Sequence, residues 1–294
     1  MCKVKVSSKD LPGLYQSADS CSVRAQKVYF RSLMWYLLLL IVAALLPYLA
    51  KYDAMGALAS AVLFLVTLGI LIFLRAKRPD DIWYNGRAVA ESVKTISWRW
   101  MMRADPYHHA DTLDSVSRDF IRDLRKILSH NENLSHSLEA HSGVKEPITD
   151  RMRACRRLSI QDRLAVYKNY RIQDQASFYS GKAEFNKRRA SRWFWASVAL
   201  HSLAIIMLLY RIKEPTFIFP IEVVATAAGA ALAWLQAKKH NELNSAYSLA
   251  AHEIVLIDGE ALSVNDEKEL SDFVVSSEAA FSREHTQWAA RRID

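Results

Sequence analysis

Two side chains draw attention because of where they fall. Glu222 and His201 each interrupt a stretch that is otherwise almost free of charge. A carboxylate within hydrocarbon is costly unless it is protonated, paired or facing water, so an acid in such a place is a functional candidate. On a helix Glu222 shares a face with Thr226, Gly229 and Ala233. Ala225, Gly229 and Ala233 also have the small-residue spacing that lets helices approach closely. Two readings follow for Glu222. Either it lines a water-filled conduit built from several copies, or it lies near the outer interface, about 10 Å from the helix start. Antiparallel pairing of the two apolar stretches brings His201 near Ala225 and within a turn of Glu222. For this imidazole a proton or gating role competes with ordinary hydrogen-bonded packing. Glu222, His201, Thr226, Gly229 and Ala233 are therefore the candidate pore or oligomer-contact residues.

Other chemistry finds no support in the residue pattern. There is no Gly-rich phosphate loop, no nucleophile elbow and no paired-carboxylate arrangement. His108, His109, His130, His136 and His141 lack the spacing of a rigid metal site. Cys2, Cys21 and Cys155 are scattered and read as reduced, incidental thiols. The expectation is no catalytic residue, no metal, no cofactor and no enzymatic activity.

The elements that must position the candidates are apolar. Residues 33–50, 54–74, 193–210 and 215–237 each approach the ~20 residues that cross about 30 Å of hydrocarbon as a helix. They predict four transmembrane helices in two hairpins, with tips at 51–53 and 211–214. The first stretch starts too late and lacks the small-residue pattern of a cleaved leader. Arg24, Lys27 and Arg31 precede the first hairpin, and Arg75, Lys77 and Arg78 follow it. Lys187, Arg188, Arg189 and Arg192 precede the second, and Lys238 and Lys239 follow it. Positive residues gather on the cytoplasmic side, so both termini and the middle of the chain are expected there. The net charge of +8 then reads as juxtamembrane anchoring to a lipid bilayer, with no nucleic-acid partner expected. Trp35, Trp193, Trp195 and Trp234 fall at the predicted boundaries, where aromatic anchoring accounts for them.

Outside these stretches the periodicity is helical. Residues 81–102 place Ile82, Val89, Val93, Ile96 and Trp100 near a 3.6 period, and 111–128 do the same with Leu113, Val116, Phe120 and Leu124. A long polar helix is expected from Thr149, broken near Ser159, and two more helices over 238–257 and 267–292. Only 4–6 could hold a scrap of strand. The polar, aperiodic stretch 131–147 reads as a linker. The fold class is all-α, an integral membrane protein whose hairpins continue into long cytoplasmic helices.

The stretch DQASFYSGKAEFNKRRASRWFWASVAL, from Asp174, passes from basic to apolar with no breaking residue. QSADSCSVRAQKVYFRSLMWYLLLL, from Gln16, makes the same passage. A shift of 158 places Ala25 on Ala183, Arg31 on Arg189 and Trp35 on Trp193. The pattern is one duplicated, parallel unit: approach helix, membrane hairpin, exit helix. A helix without a hinge would carry a twist of its polar half straight into its apolar half.

At these residues a family likeness appears. RAVAESVKTISWRWMMRADPY resembles the post-hairpin signature of the SLATT proteins, the SMODS- and SLOG-associating two-helix membrane effectors. YKNYRIQDQASFYSGKAEFNKRRASRWFW resembles the pre-hairpin signature of a second SLATT subtype. FVVSSEAAFSREHTQWAARR resembles that subtype's C-terminal helix, with Glu278, Glu284, His285 and Trp288 in the expected pattern. The resemblance divides the chain into a first SLATT-like unit at 1–130, the linker at 131–147 and a second unit at 148–294. It implies a homo-oligomeric, pore-forming effector of a bacterial anti-phage or conflict system in the inner membrane. Its trigger would come from a separate sensor protein or second-messenger-producing system. The alternative is a non-conducting membrane scaffold or receptor that recruits a cytoplasmic partner.

Overall fold

A computed structural model of the chain describes residues 4–51, 53–108, 112–134, 136–138, 146–216 and 219–290, with the side chains of 133 and 283–290 left aside. Among the described residues there are ten α-helices and no strand. They are α1 (Gly13–Leu49), α2 (Ala54–Lys77), α3 (Pro79–Met102), α4 (Leu113–Ser129), α5 (Asp150–Arg156), α6 (Ile160–Tyr167), α7 (Gln173–Lys213), α8 (Ile221–Lys238), α9 (His240–Glu260) and α10 (Glu267–Ala290). A π-helical segment, Lys168–Ile172, joins α6 to α7. Residues 4–6, the one place the sequence allows a scrap of strand, are irregular, although Val6 is buried.

The helix limits follow local chemistry. Thr112, Thr149 and Ser159 each accept a hydrogen bond from a first-turn backbone N–H, which caps α4, α5 and α6. Asp53 does the same for α2 through Gly56. The α5–α6 break falls at 157–159, where the sequence predicts it. The α2–α3 and α8–α9 junctions share a device: a single basic residue in the left-handed region, Arg78 (φ 42°) and Lys239 (φ 48°). A non-glycine residue there costs about 1–2 kcal/mol, so surrounding packing must hold it. Pro79 then opens α3, a position where its missing N–H is no loss.

The chain forms two compact units. The first comprises Met1–Gln26, Asp80–Gly181 and Ala246–Asp294. It has a dense core in which Trp98, Trp100, Tyr107, Phe120, Tyr167 and Phe273 pack on one another. Gly86 marks the closest approach of α3 to α1. A Cβ there would lie 3.2 Å from the Ala18 carbonyl oxygen and from the Ser22 nitrogen. Ser22 Oγ donates to the Trp83 carbonyl at 3.0 Å, and Arg87 bridges Asp19 (3.3 Å) and Glu91 (2.7 Å).

The second unit comprises Lys27–Pro79 and Lys182–Ser245. Its pattern is inverted: large apolar side chains such as Leu65, Ile72, Phe194, Ile206 and Leu209 are exposed. Its buried positions are mostly small, including Ala43, Ser60, Ala190, Ser197, Ala228 and Ala231. That is how helices pack in lipid, where close backbone approach replaces the hydrophobic effect as the source of cohesion. Ser60 donates to the Ala43 carbonyl at 2.7 Å and so joins α2 to α1.

Three helical runs, Gly13–Leu49, Ala54–Met102 and Ile160–Lys213, are long and apolar enough to cross a membrane. The fourth expected span differs. The apolar stretch 215–237 predicts one helix, but α8 begins only at Ile221 and is 18 residues long, with Glu222 and Lys238 near its two ends. Pro215 and Pro220 account for the late start, since proline disfavours helix at the residue before it and Pro220 takes the cap position. Residues 217–218 lie outside the described residues.

The repeat is visible in burial. Under the 158 shift, Ser17, Cys21 and Ala25 on α1 fall on Gln175, Tyr179 and Ala183 on α7, and all six are buried. The matching left-handed residues after α2 and α8 extend the correspondence to the exit helices.

Candidate functional site

The most unusual chemistry lies on the segment that leads into α7. Arg163, Tyr167, Arg171, Gln175, Tyr179 and Ala183 are spaced by four and all are buried. On an uninterrupted α-helix, each step of four drifts by about 40°, so five steps would carry the row about 200° around the axis. The π segment absorbs one extra residue and takes back about 100° of that drift. The wide turn therefore keeps two arginines on the buried face.

Arg171 and Glu278 form a fully buried ion pair, with exposures of 1% and 0%. The contact is bidentate: Nε donates to Oε1 at 2.8 Å, and Nη2 donates to Oε2 at 2.7 Å. Tyr167 Oη donates to the same carboxylate at 3.0 Å, and Thr95 Oγ1 donates to it at 2.9 Å. The guanidinium also lies 4.8 Å from the ring of Phe281. Charges taken out of water at such a site are tolerated only when nearly all their hydrogen-bonding capacity is met, and here four donor contacts meet it. The pair thus ties α3, the π segment and α10 together at one point.

Two further arginines close the end of α3. The last carbonyls of a helix lack intrahelical partners. Arg163 Nη1 donates to the Met102 carbonyl at 2.7 Å, and Arg156 donates to the Trp100 carbonyl while its guanidinium lies 5.0 Å from the Trp100 ring. Arg156 also reaches the Tyr107 and His108 carbonyls, each at 3.2 Å. Arg163 is paired with Glu267 at the start of α10. In the loop after α3, burial and a 2.7 Å hydrogen bond to Asp123 push the Tyr107 phenol above its ordinary pKa. The residue pattern of 149–192 reads as a polar helix, and the burial of Arg156, Arg163 and Arg171 is not apparent in it. Their coincidence with the buried faces of Met152, Cys155, Val166 and Tyr167 is the one available signal, and the π turn obscures it.

The candidates expected in the apolar stretches all lie in the second unit. Glu222, Ala225, Gly229 and Ala233 occupy the exposed side of α8, opposite the buried Ala228 and Ala231. Open space surrounds Gly229. Thr226 Oγ1 donates to the Glu222 carbonyl of its own helix at 2.7 Å. His201 is exposed on α7, and its Nδ1 donates to the Ser197 carbonyl at 2.7 Å. Among the described residues no hydrogen bond or ion pair joins His201 to Glu222. Of the remaining histidines, His108 contacts Asp105 at 2.9 Å, and His109 and His141 lie outside the described residues. So do Cys2 and the side chains of Glu284, His285 and Trp288, whereas Cys21 and Cys155 are buried.

A helical body with a buried charged core and three exposed apolar spans defines an all-α integral membrane protein. Residues 12–164 match the SMODS and SLOG-associating 2TM effector domain 3, and residues 167–288 match the SMODS and SLOG-associating 2TM effector domain 1. The chain therefore belongs to the SLATT family, as two such domains in tandem. SLATT domains are membrane effector domains associated with bacterial conflict and defence systems, where separate sensing or signalling components accompany them. No curated protein and no solved structure matches the chain.

Proposed function

We propose that this protein is an effector that permeabilises the bacterial inner membrane as a homo-oligomer and is released through its cytoplasmic helices. The observation that carries this reading is the Arg171–Glu278 pair. It sits on a π segment at the head of α7, and α7 continues without a break to Lys213 through the apolar stretch. Relaxation of the π turn to α would rotate all that follows by about 100°. A helix that continues into lipid converts that rotation into a change of the face it presents there. The buried pair acts as the latch.

The remaining assignments follow from the same reading. The basic residues that flank the apolar stretches support a cytoplasmic position for the first unit and both termini. One chain has too few spanning helices to enclose a conduit, so several copies must assemble. The exposed α8 side, with Glu222, Gly229 and Ala233, is the proposed subunit contact or pore wall, with Thr226 and the α7 residue His201 beside it in the same role. No chemical step is assigned to the protein, and its trigger comes from a separate sensor.

Expression in a bacterium with a membrane-potential dye tests the reading. The wild-type protein alone should be tolerated, and the R171M/E278L variant should collapse the potential. Adding Glu222→Gln to that variant should reduce the collapse. An intact potential in cells that hold the folded double variant in their membranes would favour the non-conducting scaffold.

A further inference from the structure

The second unit holds a concentration of positive charge that the latch mechanism does not use. Lys238 closes α8, with its Nζ 3.3 Å from the ring centroid of Phe30 and 4.9 Å from that of Trp234. Phe30 and Trp234 meet edge-on at 6.1 Å, and Trp193 packs against Trp234 at 6.2 Å. One helical turn before Trp193 on α7, the Arg189 guanidinium lies 5.3 Å from the ring of Phe185, which in turn packs on His240 at 6.4 Å. Both cations therefore rest on aromatic faces. An ammonium so placed still has N–H donors directed away from the rings.

Acidic partners are missing from this arrangement. Among the described residues, neither Lys238 nor Arg189 forms an ion pair. The carboxylate of Glu184 is engaged by Arg188 instead. The charged group that acts on Lys238 is Arg189, of the same sign. The neighbouring His240, buried against Asn186 with Nδ1 donating at 2.7 Å, is lowered below its ordinary pKa by burial and by Lys238 and Arg189. Two cations thus rest on neighbouring aromatic side chains near the ends of α8 and the apolar part of α7, and among the described residues no acidic side chain is paired with either.

We propose that Lys238 and Arg189, framed by Phe30, Trp193 and Trp234, form a seat for the phosphate of an anionic phospholipid headgroup. The aromatic rings fit the headgroup level of a bilayer, where tryptophan and basic side chains meet anionic lipids. The acyl chains of such a lipid would lie along the exposed apolar side chains of the unit. The seat is independent of whether the assembled protein conducts.

Native mass spectrometry of the full-length protein tests it. The protein is delipidated in mild detergent and exposed to equal amounts of phosphatidylglycerol and phosphatidylcholine with matched acyl chains. Wild type should retain phosphatidylglycerol about thirtyfold over phosphatidylcholine, which corresponds to about 1 kcal/mol of attraction for each of the two basic residues. The K238Q/R189Q variant should fall to near parity, and the exposed single change Arg189→Gln should lose part of the preference. K187Q/R192Q removes the same charge outside the seat and should keep the preference. Absence of preference in wild type, or equal loss in the K187Q/R192Q control, would overturn the proposal. Displacement of bound phosphatidylglycerol by excess glycerol phosphate would also overturn it, by assigning the seat to a soluble anion.

Discussion

At the level of single residues, Arg171 and Glu278 form the proposed latch. Removing one partner of a buried ion pair strands the other charge, which costs about 3–5 kcal/mol, whereas replacing both by apolar groups of similar volume is often neutral or stabilising. Arg171→Met alone should therefore destabilise the protein by about that amount. R171M/E278L should regain most of it, as read by denaturant melts in detergent, while losing the directional hydrogen bonds that hold the π turn in place. Equal losses in the single and double variants would mean that the pair is not balanced in the way its four donor contacts indicate. Glu278 could be picked out beforehand through its place in the C-terminal helix pattern. Arg171 could not, because an arginine in a run of charged residues looks solvated unless the buried face is already known.

Among the elements, the π segment is what ordinary periodicity hides. The limits of α3, α4, α6 and α10 follow apolar spacing and capping side chains, and they fall within a few residues of expectation. The segment Lys168–Ile172 breaks that spacing by one residue, and no residue type marks the place. The late start of α8 is different, since Pro215 and Pro220 mark it and the apolar count alone overrode them. A π turn is one residue inserted into an α-helix, so it can be removed without changing the phase of the flanking turns. Asn169 is exposed. Deleting it should leave a regular helix, keep thermal stability within about 1 kcal/mol and fix the phase of α7 permanently. Such a variant should bind its trigger partners and fail to permeabilise membranes. Full activity of a folded deletion variant would show that the extra residue is not part of the switch.

For the molecule as a whole, duplication organises both composition and structure. The shift of 158 that aligns Ala25 with Ala183 also aligns buried positions on α1 and α7. The left-handed Arg78 and Lys239 end the corresponding helices. The apolar stretches, their basic flanks and the all-α class were readable because lipid imposes length and charge rules that a single sequence exposes. Which charged residues turn inward was not, because that depends on contacts between segments distant along the chain, such as Thr95 with Glu278. The two domains also diverged. An arginine network closes the end of α3, and the apolar core of the first unit draws on both of them.

Several copies are proposed to open a membrane once the latch is released. Reconstitution into liposomes loaded with a small fluorescent dye tests it most directly. The wild-type protein should hold the dye, and R171M/E278L should release most of it, with release rising steeply with protein-to-lipid ratio. Liposomes that stay sealed while the double variant is folded, inserted and assembled would contradict the account.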